Sequence, residues 1–126
     1  MADERSPRYY GFAMMPQIRS ITSSDVQDLS SFRPSSECFA VPVRLLIGPG
    51  EETFDLIVCS VPWIERFLES TPVMDMRHHL VVREFRWDAI RGFIEGAVAR
   101  CVGDTWADVA QQLSCFALWE YEGYRK

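Results

Sequence analysis

Lysine is nearly missing. Of the thirteen basic residues only Lys126 is a lysine; the rest are arginines. Schiff-base chemistry and a phosphate-loop lysine are thereby close to excluded. Histidine is as scarce, with His78 and His79 the only two. Neighbours on a strand point to opposite faces, so the pair cannot hold one metal ion without a bend. Four cysteines are present, Cys38, Cys59, Cys101 and Cys115. No two of them have the spacing of a zinc knuckle or a redox dithiol. No apolar run approaches the roughly 18 residues of a membrane span, and the first fifteen residues lack the apolar core of a secretory leader. Gly-x-Ser-x-Gly, Gly-x-Gly-x-x-Gly and His-Glu-x-x-His are all absent. So is an excess of positive charge. The net charge is −5 and the pI about 5.0. Nucleic acid, whose phosphates call for a basic patch, is an unsuitable partner.

What remains describes an ordinary soluble domain. The chain has 126 residues, 48% apolar and 25% charged, enough for one core without metal or disulfide staples. The four thiols read as reduced, in or near the core of a cytoplasmic protein. A Cys38–Cys59 disulfide is the alternative. No cofactor is called for.

The stretch Cys38 to Ser60 (CFAVPVRLLIGPGEETFDLIVCS) organises the rest. Two apolar, β-branched runs flank Gly48-Pro49-Gly50-Glu51, strong turn punctuation. A four-residue loop there sets Ile47 opposite Glu52. Counting back, Leu45 faces Phe54, Val43 faces Leu56 and Val41 faces Val58. These share one side of the sheet because side chains alternate. On the other side Arg44 lies opposite Asp55. A slip of one residue would turn every apolar side chain outward.

Around this hairpin the pattern is mixed. Met1 to Met15 has no periodicity and reads as a disordered tail or upstream extension ahead of a single domain over 16–126. Gln17 to Thr22 is a short strand, although Ile18 and Ile21 do not alternate cleanly. Ser23 to Glu37 is a loop rich in Ser, Asp and Pro. Ser60 and Pro62 open a helix to Ser70. His79 to Phe85 is a strand. Asp88 to Val102 is the clearest helix, with Asp88 placed as a cap and Gly92 and Gly96 spaced for a close approach. Thr105 caps another helix with Asp108 three residues on. Leu118 to Tyr124 is a short extended segment. The expected fold is α+β: an antiparallel sheet built on a central β-hairpin, with about three helices packed on one face.

Two groups of residues could carry function. His79 with Asp75 or Glu84 could serve an acid–base role, but nothing in the spacing fixes their geometry, and a structural role explains them as well. The acidic residues Glu37, Glu51, Glu52 and Asp55 lie on or beside the hairpin. Glu120 and Glu122 form a second acidic group with Trp119 and Tyr121. A solvated acidic surface accounts for both. The functional reading is a docking patch in which carboxylates steer a basic partner and aromatics anchor it.

Several segments, taken in order, resemble a known family. They are Ile18-Arg19-Ser20-Ile21, Glu37-Cys38-Phe39, Leu46-Ile47-Gly48-Pro49, Phe54 to Cys59, Pro62-Trp63, His78-His79-Leu80, Trp87-Asp88-Ala89-Ile90, Gly103-Asp104-Thr105-Trp106 and Trp119-Glu120-Tyr121-Glu122. Together, from about Gln17 to Arg125, they are similar to the immunity protein 8 family of bacterial polymorphic toxin systems. The resemblance implies a small cytoplasmic protein that neutralises a cognate toxin domain by direct binding, with no catalytic residue of its own. A toxin that cuts nucleic acid is typically basic, which suits an acidic inhibitor. The chain would act as a monomer or a homodimer, away from the membrane. The other classes are a regulatory or structural subunit that binds another protein, and a small enzyme using His79.

Overall fold

The computed structural model describes residues 13–121. The predicted tail therefore lies outside the described residues except for 13–15, where Met14 forms an isolated bridge with Gly103. The elements run β1 (Gln17–Thr22), β2 (Ala40–Gly48), β3 (Glu52–Ser60), α1 (Val61–Ser70), β4 (His79–Val82), α2 (Trp87–Ala99), α3 (Trp106–Ser114) and β5 (Leu118–Trp119). This is the expected α+β architecture, with five strands and three helices.

The hairpin has the register read from its sequence. Ile47 pairs with Glu52, Leu45 with Phe54, Val43 with Leu56 and Val41 with Val58. Arg44 lies opposite Asp55 and forms a two-pronged ion pair with it at 2.8 and 2.9 Å. The inward side chains of both strands are buried in one cluster with Ile90, Ile94 and Val98 of α2 and Val109, Ala110 and Leu113 of α3. That cluster is the core, and it lies on one side of the sheet.

The irregular spacing of Ile18 and Ile21 has a physical cause. Ile18 pairs with Ile47 but Ser20 pairs with Leu46, so Arg19 is an extra residue in the ladder. This bulge turns both isoleucines toward the core, against which both are half-buried. It also aims Arg19 at the hairpin turn. The guanidinium donates to the Pro49 carbonyl at 2.7 Å and to the Gly50 carbonyl at 3.0 Å. Gly48 leaves room for this clamp, since a Cβ there would come within 2.5 Å of the Arg19 side chain.

The sheet is not wholly antiparallel. β4 runs parallel to β3, Ile57 pairing with His79 and Ser60 with Val82. The reason is α1, which carries the chain back between the two strands as a parallel pair requires. The helix is capped by Ser60, whose buried hydroxyl accepts from the Trp63 N–H and from the Phe39 N–H. β5 takes the rest of the same edge, with Asp55 opposite Leu118 and Phe54 opposite Trp119. One side of β3 is thus completed by two short strands from distant parts of the chain.

Several local expectations differ from what is found: β4 ends at Val82 and not Phe85, and α2 ends at Ala99 and not Val102. The cap of α2 is Arg86, without a side-chain hydrogen bond, and Asp88 lies inside the first turn. The helix starts earlier because Trp87 packs against the core cluster and stacks on Phe85 at 6.4 Å. Gly92 faces open space and Gly96 meets only the Arg100 side chain, so neither marks a close helix approach. Thr105 caps α3 as read, accepting from the Asp108 N–H at 3.2 Å. All four cysteines are free thiols. Burial pushes the Cys59 and Cys101 thiols up in pKa, whereas Cys115 is exposed.

Candidate functional site

The acidic and aromatic residues separate into three places. The first is the hairpin tip. Glu52 follows the turn, and its position opposite Ile47 points it inward. An inward carboxylate must find donors. It finds two indoles: the Trp106 Nε1–H donates to Glu52 Oε2 and the Trp119 Nε1–H donates to Glu52 Oε1, both at 2.7 Å. One carboxylate thus ties the start of α3 and the whole of β5 to the hairpin. Trp119 also stacks on Phe54, with ring centroids 6.2 Å apart and planes 8° from parallel. Tyr121 lies edge-on to Trp119 at 5.6 Å and is 46% exposed. Glu51 is exposed beside the turn.

The second place is the sheet face turned away from the core. Arg44 and Asp55 lie there in mid-strand. Glu120, in the turn after β5, lies near enough for its charge to act on Arg44. The Glu120 carboxylate accepts from the Thr53 N–H at 2.7 Å, and the Glu120 N–H donates to the Thr53 carbonyl at 3.1 Å. Asp55 and, more weakly, Glu120 raise the pKa of Arg44. Above these side chains is a groove of about 650 Å³, lined by Pro42, Arg44, Asp55, Ile57, Arg77, His78, His79, Leu118 and the end of β1.

The third place holds Glu37 alone. It is exposed, just ahead of β2, at the opposite end of the hairpin from the tip. Glu122 lies outside the described residues. The structure therefore gathers Glu51, Glu52, Asp55, Trp119, Glu120 and Tyr121 around one end of the sheet and leaves Glu37 apart.

The two imidazoles border the groove in different ways. His78 has a left-handed backbone, φ 63°, and its carbonyl accepts from the Ile57 N–H at the start of the parallel ladder. Its Nε2 is 2.8 Å from the Ser114 carbonyl, linking β4 to the end of α3. His79 has Nδ1 2.9 Å from the Arg77 carbonyl, and its ring stacks on Trp63 at 6.1 Å. Each ring therefore donates one N–H to a main-chain carbonyl. Asp75 pairs with Arg77, whose guanidinium and backbone N–H lower the carboxyl pKa to about 2. Glu84, the other carboxylate considered for His79, is exposed beyond the C-terminal end of β4. Among the described residues no three His, Cys, Asp or Glu side chains are grouped to hold a metal ion. Among them also, no helix is long and apolar enough to cross a membrane.

The model of the family described as immunity protein 8 matches residues 16–124. The chain belongs to the immunity protein 8 family. It is therefore an immunity protein of a toxin system. No curated protein and no solved structure matches it. The segments that carried the resemblance are spread over the immunity protein's hairpin, its turn, the starts of all three helices and β5.

Sequence reasoning missed part of this immunity protein's candidate site. Leu118, Ile57 and Pro42 form the apolar floor of the groove, and none stood out as more than a strand residue. One signal was present. Ile57 alternates with Val58, so a strand with apolar residues on both sides was visible in the register. It also missed that Trp106 shares Glu52 with Trp119, since the two indoles reach the carboxylate from 54 and 67 residues away.

Proposed function

We propose that this immunity protein neutralises its cognate toxin by binding it directly in the cytoplasm, making and breaking no covalent bond. One observation carries the reading: Glu52, Asp55 and both imidazoles are committed to holding the fold. Glu52 is taken by two indoles and Asp55 by Arg44, and each histidine is anchored to a carbonyl. What is left for a partner is shape and charge. The exposed members of the acidic and aromatic set, Glu51, Glu120 and Tyr121, meet the toxin. Glu52, Asp55 and Trp119 support the surface behind them. Glu37, and Glu122 beyond the described residues, add to the negative field. A net charge of −5 favours a basic toxin, whose approach it accelerates.

The test is a titration of toxin activity with purified immunity protein. The expected result is a linear loss of activity that ends at a fixed molar ratio, with affinity falling as salt rises. Inactivation that continues with time at a small fraction of that ratio would mean a catalytic mechanism. Failure to rescue growth when the two are co-expressed would remove the immunity reading altogether.

A further inference from the structure

Resting on that reading, we propose that the groove on the sheet face opposite the core is the anchoring site for the toxin. Its occupant is an extended toxin segment that places a large apolar side chain on Leu118, Ile57 and Pro42, with an arginine or lysine beside it.

The space and the floor suggest the apolar half of this occupant. A volume of about 650 Å³ is in the range of sites that bury a ligand and leaves room for a large side chain with its neighbours. Leu118 is 45% exposed, an apolar surface that gains by being covered.

Charge suggests the basic half. The two arginines on the walls are already matched, Arg44 by Asp55 and Arg77 by Asp75. Glu120 is different. It is exposed, makes no ion pair among the described residues and takes the Thr53 N–H on one oxygen, while its charge reaches Arg44. Glu51 follows at the hairpin tip. Arg44 thus faces two carboxylates, Asp55 and Glu120, which leaves that side of the groove one negative charge in excess beside its apolar floor. A second copy of this chain, itself at −5, suits that side poorly.

The experiment uses the whole chain and its cognate toxin domain, with affinity measured by calorimetry. Leu118→Arg fills the floor with a bulky cation and is expected to weaken binding about 100-fold, as a central anchor does. Glu120→Lys is expected to weaken it about tenfold and to flatten its dependence on salt. Phe93→Ser removes an apolar side chain that is 53% exposed on α2 and leaves affinity unchanged. Thermal melts check that each variant is folded. Hydrogen exchange on the wild-type complex gives an independent reading that needs no variant, with slowed exchange expected at 42–44, 55–57 and 118–120. Several results would overturn the proposal. One is wild-type affinity in Leu118→Arg. Another is protection confined to the outer edge of β4 or to α1. A third is a wild-type dimer that Leu118→Arg dissociates, which would make a second copy the occupant. If the wild-type chain itself neither binds nor rescues, the fault lies in the immunity reading beneath.

Discussion

The two faces of the β2–β3 hairpin come from alternate residues of the same two strands. They have opposite fates. Val41, Val43, Leu45, Ile47, Phe54, Leu56 and Val58 are buried under α2 and α3. Pro42, Arg44, Asp55 and Ile57 line a groove that no residue of α2 or α3 lines. The inward face is apolar between its ends, where Glu52 is satisfied by two indoles and the Ser60 hydroxyl by main-chain N–H groups. The outward face mixes apolar and charged side chains, and its charges are paired across the ladder. The first face sets how stable the molecule is. The second can change its chemistry with little effect on folding, which is the freedom a partner-specific surface needs.

This contrast is easy to break on the inward side. Phe54→Ala removes a fully buried ring together with its stacking on Trp119, and is expected to destabilise by about 3–5 kcal/mol in chemical denaturation. Glu52→Ala leaves two indole N–H groups without their acceptor. We expect a loss of about 2–4 kcal/mol, with increased solvent exposure of Trp106 and Trp119 seen as a fluorescence shift. Outward changes sharpen the same contrast. Asp55→Asn breaks an ion pair whose side chains are 58% and 43% exposed, so its effect on stability is expected to stay under about 1 kcal/mol. Smallest is the effect of acid at Asp75. Its carboxyl is lowered from 3.8 to about 2 by Arg77. Since the folded value lies below the unfolded one, the contribution is complete above pH 4 and is lost as pH falls through 2. An NMR titration of the Asp75 carboxyl should follow that window, with no change in the pairing near neutrality. A loss with Asp55→Asn as large as with Glu52→Ala would erase the distinction between the faces.

Much of the inward face was legible because independent signals agreed. The alternation of Val41 to Ile47, the Gly48-Pro49-Gly50 turn and the Arg44–Asp55 pair all require one register, and that register is found. β1 was harder to read because a bulge at Arg19 breaks the period of two. The direction of β4 was not legible, since His79-Leu80-Val81-Val82 pairs equally well either way and only the path of α1 decides it. The charged candidates were harder still. Composition counts Glu52 and Glu51 alike as acidic surface, yet one is held between two indoles and the other is free in solvent. The predicted register already placed Glu52 on the inward side, and that placement was the available clue. The groove was hidden for the opposite reason, because its floor comes from three strands whose outward residues have no common pattern along the chain.

The shared edge of β3 bears on the order in which the molecule is assembled. β2, β3 and β4 emerge early and can pair as they are made, but the backbone at Phe54 and Asp55 has no neighbour on one side until residue 119 has left the ribosome. Until then the tip of the hairpin is an open template for strands of other chains, and the contact that closes it spans about half the sequence, a slow step for any search. Chaperone capture and stalled-chain experiments should therefore find the nascent protein vulnerable up to the arrival of Trp119, and protected soon after.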